Sequence, residues 1–407
     1  MTHAASVLTH TPAAPAVLRP TGSPRTRPTA RVVGQAHVVP DSMHQQDLWD
    51  KHFSTVFADH PFAEKVWRSA GIVTRHGAVN PALEDISHWS TGDRMRRYHE
   101  EALPLGIRAV EHALADAGLP ADEVGLFAVV SCTGYGTPGL DIRISEELGM
   151  SPVVQRLVVG HMGCYAAIPG LGAVSDYVAA RQKPAVMLCL ELTSLHPQPP
   201  SSTLLSGEAT EADLEQLVAH ALFADAAAAV VLVPEGHRTL APVGVAGLPQ
   251  PTGSGVTPAR GRGLEVVDVS ARTDWSTQQL MRWDVTDLGF KMSLSHRVPG
   301  VLEQHVAGVV DSLLESHGLD RADVAGWAVH PGGRRILEVV DERLGLPSGA
   351  LDASYSVLRD YGNCSSPTVL LVLERMMADG DFQAGDHVVA MAFGPGLTLY
   401  AALLRVV

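Results

Sequence analysis

The strongest constraint on this chain is that it repeats itself. AVEHALADAGLPADEVGLFAVV at 109–130 and VVDSLLESHGLDRADVAGWAVH at 309–330 share one order: an amphipathic pattern, a Gly-Leu stop, a polar turn and an apolar run. Val110 matches Val310, Leu114 matches Leu314, Gly118-Leu119 match Gly318-Leu319, Val124 matches Val324 and Val129 matches Val329, all at an offset of 200 positions. The spacing predicts a helix, a glycine stop and a buried strand in each copy. Downstream, GCYAAIPGLGAVSDYVAARQKPAVMLCLE from Gly163 is mirrored by NCSSPTVLLVLERMMADGDFQAGDHVVAMAF from Asn363. Each opens with a small-residue cluster, continues as an apolar helix and ends in a strand, and Cys164 and Cys364 hold equivalent places.

Strands apolar on both faces, such as AVMLCL and HVVAMAF, predict two mostly parallel sheets covered by helices, a duplicated α/β fold. The halves are read as 32–238, carrying Cys164, and 239–407, carrying His330 and Asn363. Residues 1–31, rich in Ala, Pro and Thr, are expected to be a disordered tail. LPQPTGSGVTPARGRG at 248–263 is expected to be a surface loop or linker, and HPQPPSSTLLSGEATEADL at 196–214 an excursion.

The chain has 407 residues, 46% of them apolar and 18% charged, enough for a large buried core. A net charge of −14 argues against a broad nucleic-acid or anionic-membrane surface and leaves room only for a local basic pocket, so small-molecule partners are expected. Cys132, Cys164, Cys189 and Cys364 form no CxxC pair, which argues against a zinc knuckle or disulfide framework and for a reducing cytoplasm. No apolar run approaches the ~20 residues that span a bilayer, and no apolar signal core opens the chain, so neither membrane insertion nor export is expected.

In a duplicated fold the site commonly forms where the halves meet. Cys164 opens one apolar helix, Asn363 opens its mirror, and His330 ends a strand before the PGGRR turn, so the three are expected to converge. A helix N-terminus and a neighbouring imidazole both favour thiolate, lowering a thiol from about 8.5 toward or below neutrality. Gly163 is expected to let a substrate carbonyl approach the backbone, making Cys164 an acyl-accepting nucleophile. Taken singly, each residue also has an ordinary structural role: a buried cysteine, a strand-end histidine, a helix-capping asparagine. Their matched placement carries the chemical reading.

At these residues the sequence resembles the type III polyketide synthases, the chalcone and stilbene synthase family of the thiolase superfamily. MGCYAA around Cys164, VHPGGRRILEVV around His330, YGNCSSPTVLLVLE around Asn363 and AFGPGLTLYAALL near the end carry the resemblance, which runs from about residue 32 to 407. It implies a five-layered αβαβα fold, a homodimer and a Cys-His-Asn triad that needs no metal or other cofactor. Cys164 would take an acyl group from a CoA thioester, while His330 and Asn363 would stabilise the enolate left by decarboxylation of malonyl-CoA. Repeated condensation and ring closure would give a pyrone, resorcinol or phloroglucinol-type product.

The resemblance also places Phe223 of HALFADAAAAV as a gatekeeper between CoA tunnel and cavity, and Met292 of DLGFKMSLSHRVPG at the second gatekeeper position, with Phe290 nearby to compensate. His196 in CLELTSLH and Trp283 in LMRWDVTDLGF stand where plant enzymes carry small residues. Cys132, with Thr133 beside it in SCTGYGTPGLD, replaces a threonine. Bulk at 196 and 283 is expected to shrink or redirect the cavity toward a modest acyl starter or malonyl itself. Lys65 and Arg75 of EKVWRSAGIVTRHG, with Arg68, are expected to meet the CoA phosphates, although one family lysine reads Ser69. Two other readings use the same groups: an initiating-type ketoacyl carrier-protein synthase and a cysteine-dependent thioester hydrolase. HPGG and GNCSSP favour the polyketide synthase over the first, and the duplication favours it over the second.

Overall fold

The computed structural model describes residues 29–57, 61–199, 201, 210–238 and 263–407. All of the expected linker at 248–263 but its last residue, most of the tail and part of the 196–214 excursion lie outside the described residues. In chain order the strands are β1 (Ala30–Val38), β2 (Ser42–His44), β3 (Thr74–His76), β4 (Leu126–Val130), β5 (Gln155–Val159), β6 (Ala185–Leu192) and β7 (Asp225–Pro234). They continue with β8 (Leu264–Thr273), β9 (Met281–Thr286), β10 (Gly289–Leu294), β11 (Val324–Val329), β12 (His387–Gly394) and β13 (Thr398–Val406). Strand β1 already begins at Ala30, inside the segment read as tail.

The repeat is visible in the hydrogen bonding. Helix Thr91–Ala117 ends at Gly118, in the left-handed region at φ 61°, and Leu119 N–H returns to Leu114 O at 3.0 Å. Gly318, at φ 72°, follows helix Val298–Glu315, and Leu319 N–H returns to Leu314 O at the same 3.0 Å. Both are glycine stops that satisfy the orphan carbonyls of a helix end.

One expectation is corrected. The main strands form a single nine-stranded sheet in the order β11-β12-β13-β8-β1-β7-β6-β4-β5, not two mostly parallel ones. Only β4–β5, β4–β6 and β11–β12 pair in parallel; β6–β7, β7–β1, β8–β13 and β12–β13 are antiparallel. The reason is that each half closes by folding its last strand back, as in the tight β12–β13 connection through Pro395 and Gly396. Arg31–Glu265 and Val32–Leu264 pairing then joins the halves edge to edge.

Burial on both faces of the strands makes five layers. Alternate residues of β6 and β12, Met187 and Cys189 with Val388 and Ala390, pack inward against helices Ala167–Arg181 and Pro367–Asp379. Their neighbours Val186 and Leu188 face helix Thr91–Ala117, while Val389 and Met391 face helices Val298–Glu315 and Arg334–Leu344. The one sheet thus folds around the central helices, and the layering is helix, strands β1 and β4 to β7, helix pair, strands β8 and β11 to β13, helices. Among the described residues no helix is long and apolar enough to cross a membrane.

The halves differ in one respect that matters for the site. Strands β12 and β13 are joined directly, whereas β6 and β7 are separated by residues 193–224, which include helix Glu211–Leu222 and end at Phe223 and Ala224. Because Leu371 sits in the middle layer between both sets of strands, Leu371→Ala is expected to destabilise the whole molecule by about 2–5 kcal/mol, read as a lowered urea midpoint in a single transition.

Candidate active site

Cys164 lies in a short 3-10 turn, Gly163–Tyr165, that runs into helix Ala167–Arg181. Gly163 has φ 71°, and a Cβ there would stand 2.9 Å from Pro395 Cδ. The glycine is thus required by the backbone and by the packed 394–396 loop rather than by an approaching substrate. On the mirror side Cys364 is fully buried in the core, and the residue beside it faces the chamber.

Asn363 is laced to the first half of the chain. Its N–H donates to Leu222 O at 2.9 Å and its carbonyl accepts from Ala224 N–H at 2.9 Å, a parallel bridge opposite Phe223. Its side-chain Oδ1 accepts from Ser365 N–H at 2.9 Å, which fixes the amide and leaves Nδ2 with one long contact, 3.4 Å, to Gly332 O. His330 extends β11, its N–H donating to Met391 O at 2.8 Å. Both ring nitrogens of His330 are buried without a hydrogen-bond partner. Cys164, His330 and Asn363 line one cavity of about 360 Å³, together with Phe223 and Phe393.

The expected thiolate is opposed by burial. Burial pushes the Cys164 thiol up to about 12; the Ser365 side chain opposes this, the Glu191 charge adds to it, and Asn363 opposes it again. Ser365 Oγ nonetheless completes no full hydrogen bond. Burial alone pushes the His330 ring down to about 3. In a largely apolar chamber the desolvation of a charge opposes the pull of the helix terminus and disfavours both thiolate and imidazolium.

Two groups behind the sulfur escaped the sequence reading. Glu191 on β6 is completely buried and accepts from Cys132 N–H at 3.0 Å, Thr133 Oγ1 at 2.8 Å and Ser366 Oγ at 2.8 Å, with Ser131 Oγ and Cys132 Sγ at 3.4 Å. Burial still raises its pKa. Cys132 and Thr133 therefore belong to a carboxylate-centred network. A glutamate interrupting an otherwise apolar strand was the available signal. Ser365, at φ 58°, is the second.

Phe223 lines both the Cys164 cavity and a smaller pocket that Met292 also lines, so the two residues expected as gatekeepers border a common space. Phe290 does not stand in for a second gate: it stacks on His196, with ring centroids 4.5 Å apart and planes 5° from parallel. Trp283 lies 6.2 Å from both His196 and Phe223. His196 is buried, donates from Nε2 to Thr133 O at 2.7 Å and accepts at Nδ1 from Phe290 N–H at 3.2 Å. Burial pushes this ring down to about 4, and a neutral ring with one donor and one acceptor meets both partners. Trp283 thus stands beside Phe223 with His196 next to it, and both lie outside the lining of the Cys164 cavity.

The basic positions divide. Lys65 and Arg68 are exposed on helix Pro61–Ser69, Arg68 pairing with Glu64 at 2.7 Å, and Ser69 lines the open end of the cavity. Arg75 is only 5% exposed, and Nη1 donates to the carbonyls of His220 at 2.6 Å and Phe223 at 2.9 Å. It cannot meet a solvent-borne phosphate. Arg334 and Arg335, exposed at the first turn of helix Arg334–Leu344, line the cavity instead.

Layering and chamber together define an acyltransferase with the thiolase arrangement. Two family models match the chain, "Chalcone and stilbene synthases, N-terminal domain" over residues 25–235 and "Chalcone and stilbene synthases, C-terminal domain" over residues 271–407. The protein therefore belongs to the chalcone and stilbene synthase family and is a type III polyketide synthase. It is similar to an alpha-pyrone synthesis polyketide synthase-like protein of Mycobacterium tuberculosis, 31% identical over 90% of this chain and 88% of that one. It is 34% identical to the 1,3,6,8-tetrahydroxynaphthalene synthase of Streptomyces peucetius subsp. caesius, over 86% of this chain and 84% of that one. The solved 1,3,6,8-tetrahydroxynaphthalene synthase of Streptomyces coelicolor, a bacterial type III polyketide synthase, superimposes with a TM-score of 0.78 at 26% identity, over 92% of this chain and 99% of that one. These relatives favour neither the carrier-protein synthase nor the hydrolase.

A raised Cys164 pKa and a depressed His330 pKa fix a pH dependence. The thiolate fraction grows as pH rises toward the thiol's folded value, so alkylation of Cys164 by iodoacetamide in the free enzyme is expected to be slow at neutral pH. Its rate should climb throughout the alkaline range. A rate already at its plateau below neutrality would show an ion pair in the resting enzyme.

Proposed function

We propose that the enzyme loads an acyl group from a CoA thioester onto Cys164 and extends it with malonyl-CoA by decarboxylative condensation, ending in ring closure. The observation that supports this best is the convergence of a thiol, an imidazole and an amide on one apolar chamber, with the His330 nitrogens and the Asn363 amide unsaturated by protein partners. As the Cys164 sulfur attacks the thioester carbonyl, its proton passes to His330, and CoA leaves as the thiol. In the second half-reaction the malonyl thioester oxygen accepts from His330 and Asn363. Carbon dioxide departs, the electron pair of the broken bond becomes an enolate held by those donors, and its carbon attacks the Cys164 thioester, releasing the sulfur. Phe223 and Phe393 give the leaving carboxylate an apolar wall, which favours loss of its charge.

The His196–Phe290 stack and Trp283 fill the space beside the gate, which supports a modest acyl starter or malonyl itself. Arg334 and Arg335 at the open end, with Lys65 on the adjoining helix, are the cations we assign to the CoA phosphates. Cys132, on the Glu191 network, is assigned a steering role toward intermediates. The chain is read as two thiolase-like halves, 32–238 and 239–407, in a cytoplasmic homodimer. Strand β5 supports the dimer: it is a sheet edge with Val158 59% exposed, near Val153 at 84% and Tyr135 at 70%.

Mass spectrometry of products from acyl-CoA starters with labelled malonyl-CoA tests the reading. Wild-type enzyme should give chain-extended, cyclised products and a Cys164 acyl adduct, and Cys164→Ala neither. Asn363→Ala should lower malonyl-CoA decarboxylation by about 10²–10³-fold. Free acid and CoA without chain growth would overturn the proposal. Reversing both Arg334 and Arg335 to Glu should raise KM for malonyl-CoA by about tenfold, near 1.4 kcal/mol, and leave the malonyl N-acetylcysteamine thioester unaffected. Cys132→Ser should alter the product ratio; an unaltered ratio removes the steering role.

A further inference from the structure

Arg75 has a place in the fold that no phosphate contact explains. It sits on the short strand β3, its guanidinium 4.9 Å from the centre of the Trp67 ring, and both of its Nη1 bonds go to carbonyls at the end of helix Glu211–Leu222, that of His220 in its last turn and that of Phe223 itself. Those carbonyls close helix Glu211–Leu222, where the helix dipole presents partial negative charge to a cation. Arg75 also touches the other half of the molecule. A Cβ on Gly362 would come within 3.2 Å of Arg75 Cγ, and Gly362 precedes Asn363, which is bridged through its backbone to Leu222 and Ala224. Arg75 lines the small pocket beyond Phe223 and does not line the cavity of Cys164.

We propose that Arg75 is a positioning residue for chain extension: by clamping the Phe223 carbonyl and backing Gly362, it holds the gate ring and the Asn363 amide in register across the two halves. It acts through Phe223 and Asn363, and the inference rests on the roles proposed above for those residues. The buried carbonyls accept a doubly directed donor, and losing it frees the residue 220–224 segment to shift. A shift of about 1 Å at the Asn363 amide is enough to cost about 100-fold in rate.

The test compares wild type, Arg75→Met and Arg75→Lys with malonyl-CoA alone and with hexanoyl-CoA as starter. Arg75→Met keeps the apolar stem and is expected to lower kcat for extension by about 100-fold, to change KM for malonyl-CoA by less than about twofold, within uniform binding, and to raise the share of early-released products. The same loss should appear with the malonyl N-acetylcysteamine thioester, which carries no nucleotide. Arg75→Lys retains a cation and donors and should recover at least about tenfold of the lost kcat. Wild-type kcat and product ratio in Arg75→Met would overturn the inference. A defect confined to KM with CoA substrates would return Arg75 to phosphate binding and overturn it equally. Circular dichroism and gel filtration accompany each variant. Should Arg75→Met fail to fold, Arg75→Lys alone is read, with about a tenfold fall in kcat expected and wild-type values overturning the inference. Wild-type enzyme that yields no extended product would instead sink the proposed function, so the two failures are separable.

Discussion

The apolar helix pair at the centre of the molecule is the constraint on which the site depends. Helices Ala167–Arg181 and Pro367–Asp379 are buried between the two sets of strands and share one core with both. Neither half can cover its inner sheet face alone, so each completes the other's. The same packing carries the residues that open these helices, Cys164 on one side and Asn363 on the other, to one chamber. The chemistry is therefore placed by the least polar part of the protein.

The chamber's electrostatics follow from that burial. A thiol and an imidazole in an apolar enclosure are each driven to the neutral form, and the unpartnered His330 nitrogens carry a desolvation cost with no protein group to offset it. In the proposed reaction a substrate carbonyl would supply an acceptor, and the donors would be strongest toward a group that gains negative charge. Glu191 lies behind the sulfur: a negative charge there disfavours a thiolate, and its hydroxyl and amide donors oppose the rise that burial imposes on its own pKa.

The repeat made the layered architecture legible, because helix stops such as Gly118 and Gly318 and all-apolar strands encode local structure directly. Strand direction was only partly legible: an apolar run buried on both faces looks alike in parallel and antiparallel pairing, and although Pro395-Gly396 between β12 and β13 is a turn signal, the long segment before β7 carries none that fixes its direction. Cys164, His330 and Asn363 could be singled out because their spacing follows the repeat. Arg75 was misjudged because sequence shows a basic residue without showing its burial, and Arg334 and Arg335 were passed over because they sat inside a motif already used for His330. Glu191 was legible in principle, as a carboxylate in a strand with no other polar side chain. The His196–Phe290 stack was not, since the two residues meet only through β10 folding back.

The segment between β6 and β7 has no counterpart between β12 and β13. An exact repeat would bring a thiol to the chamber from each half, yet this inserted segment sets Phe223 opposite Asn363, and Cys364 beside it is sealed in the interior. The duplicated frame is therefore unequal at its two matched cysteines, one facing the chamber and the other locked into the core, and whatever enters the chamber meets the first without the second.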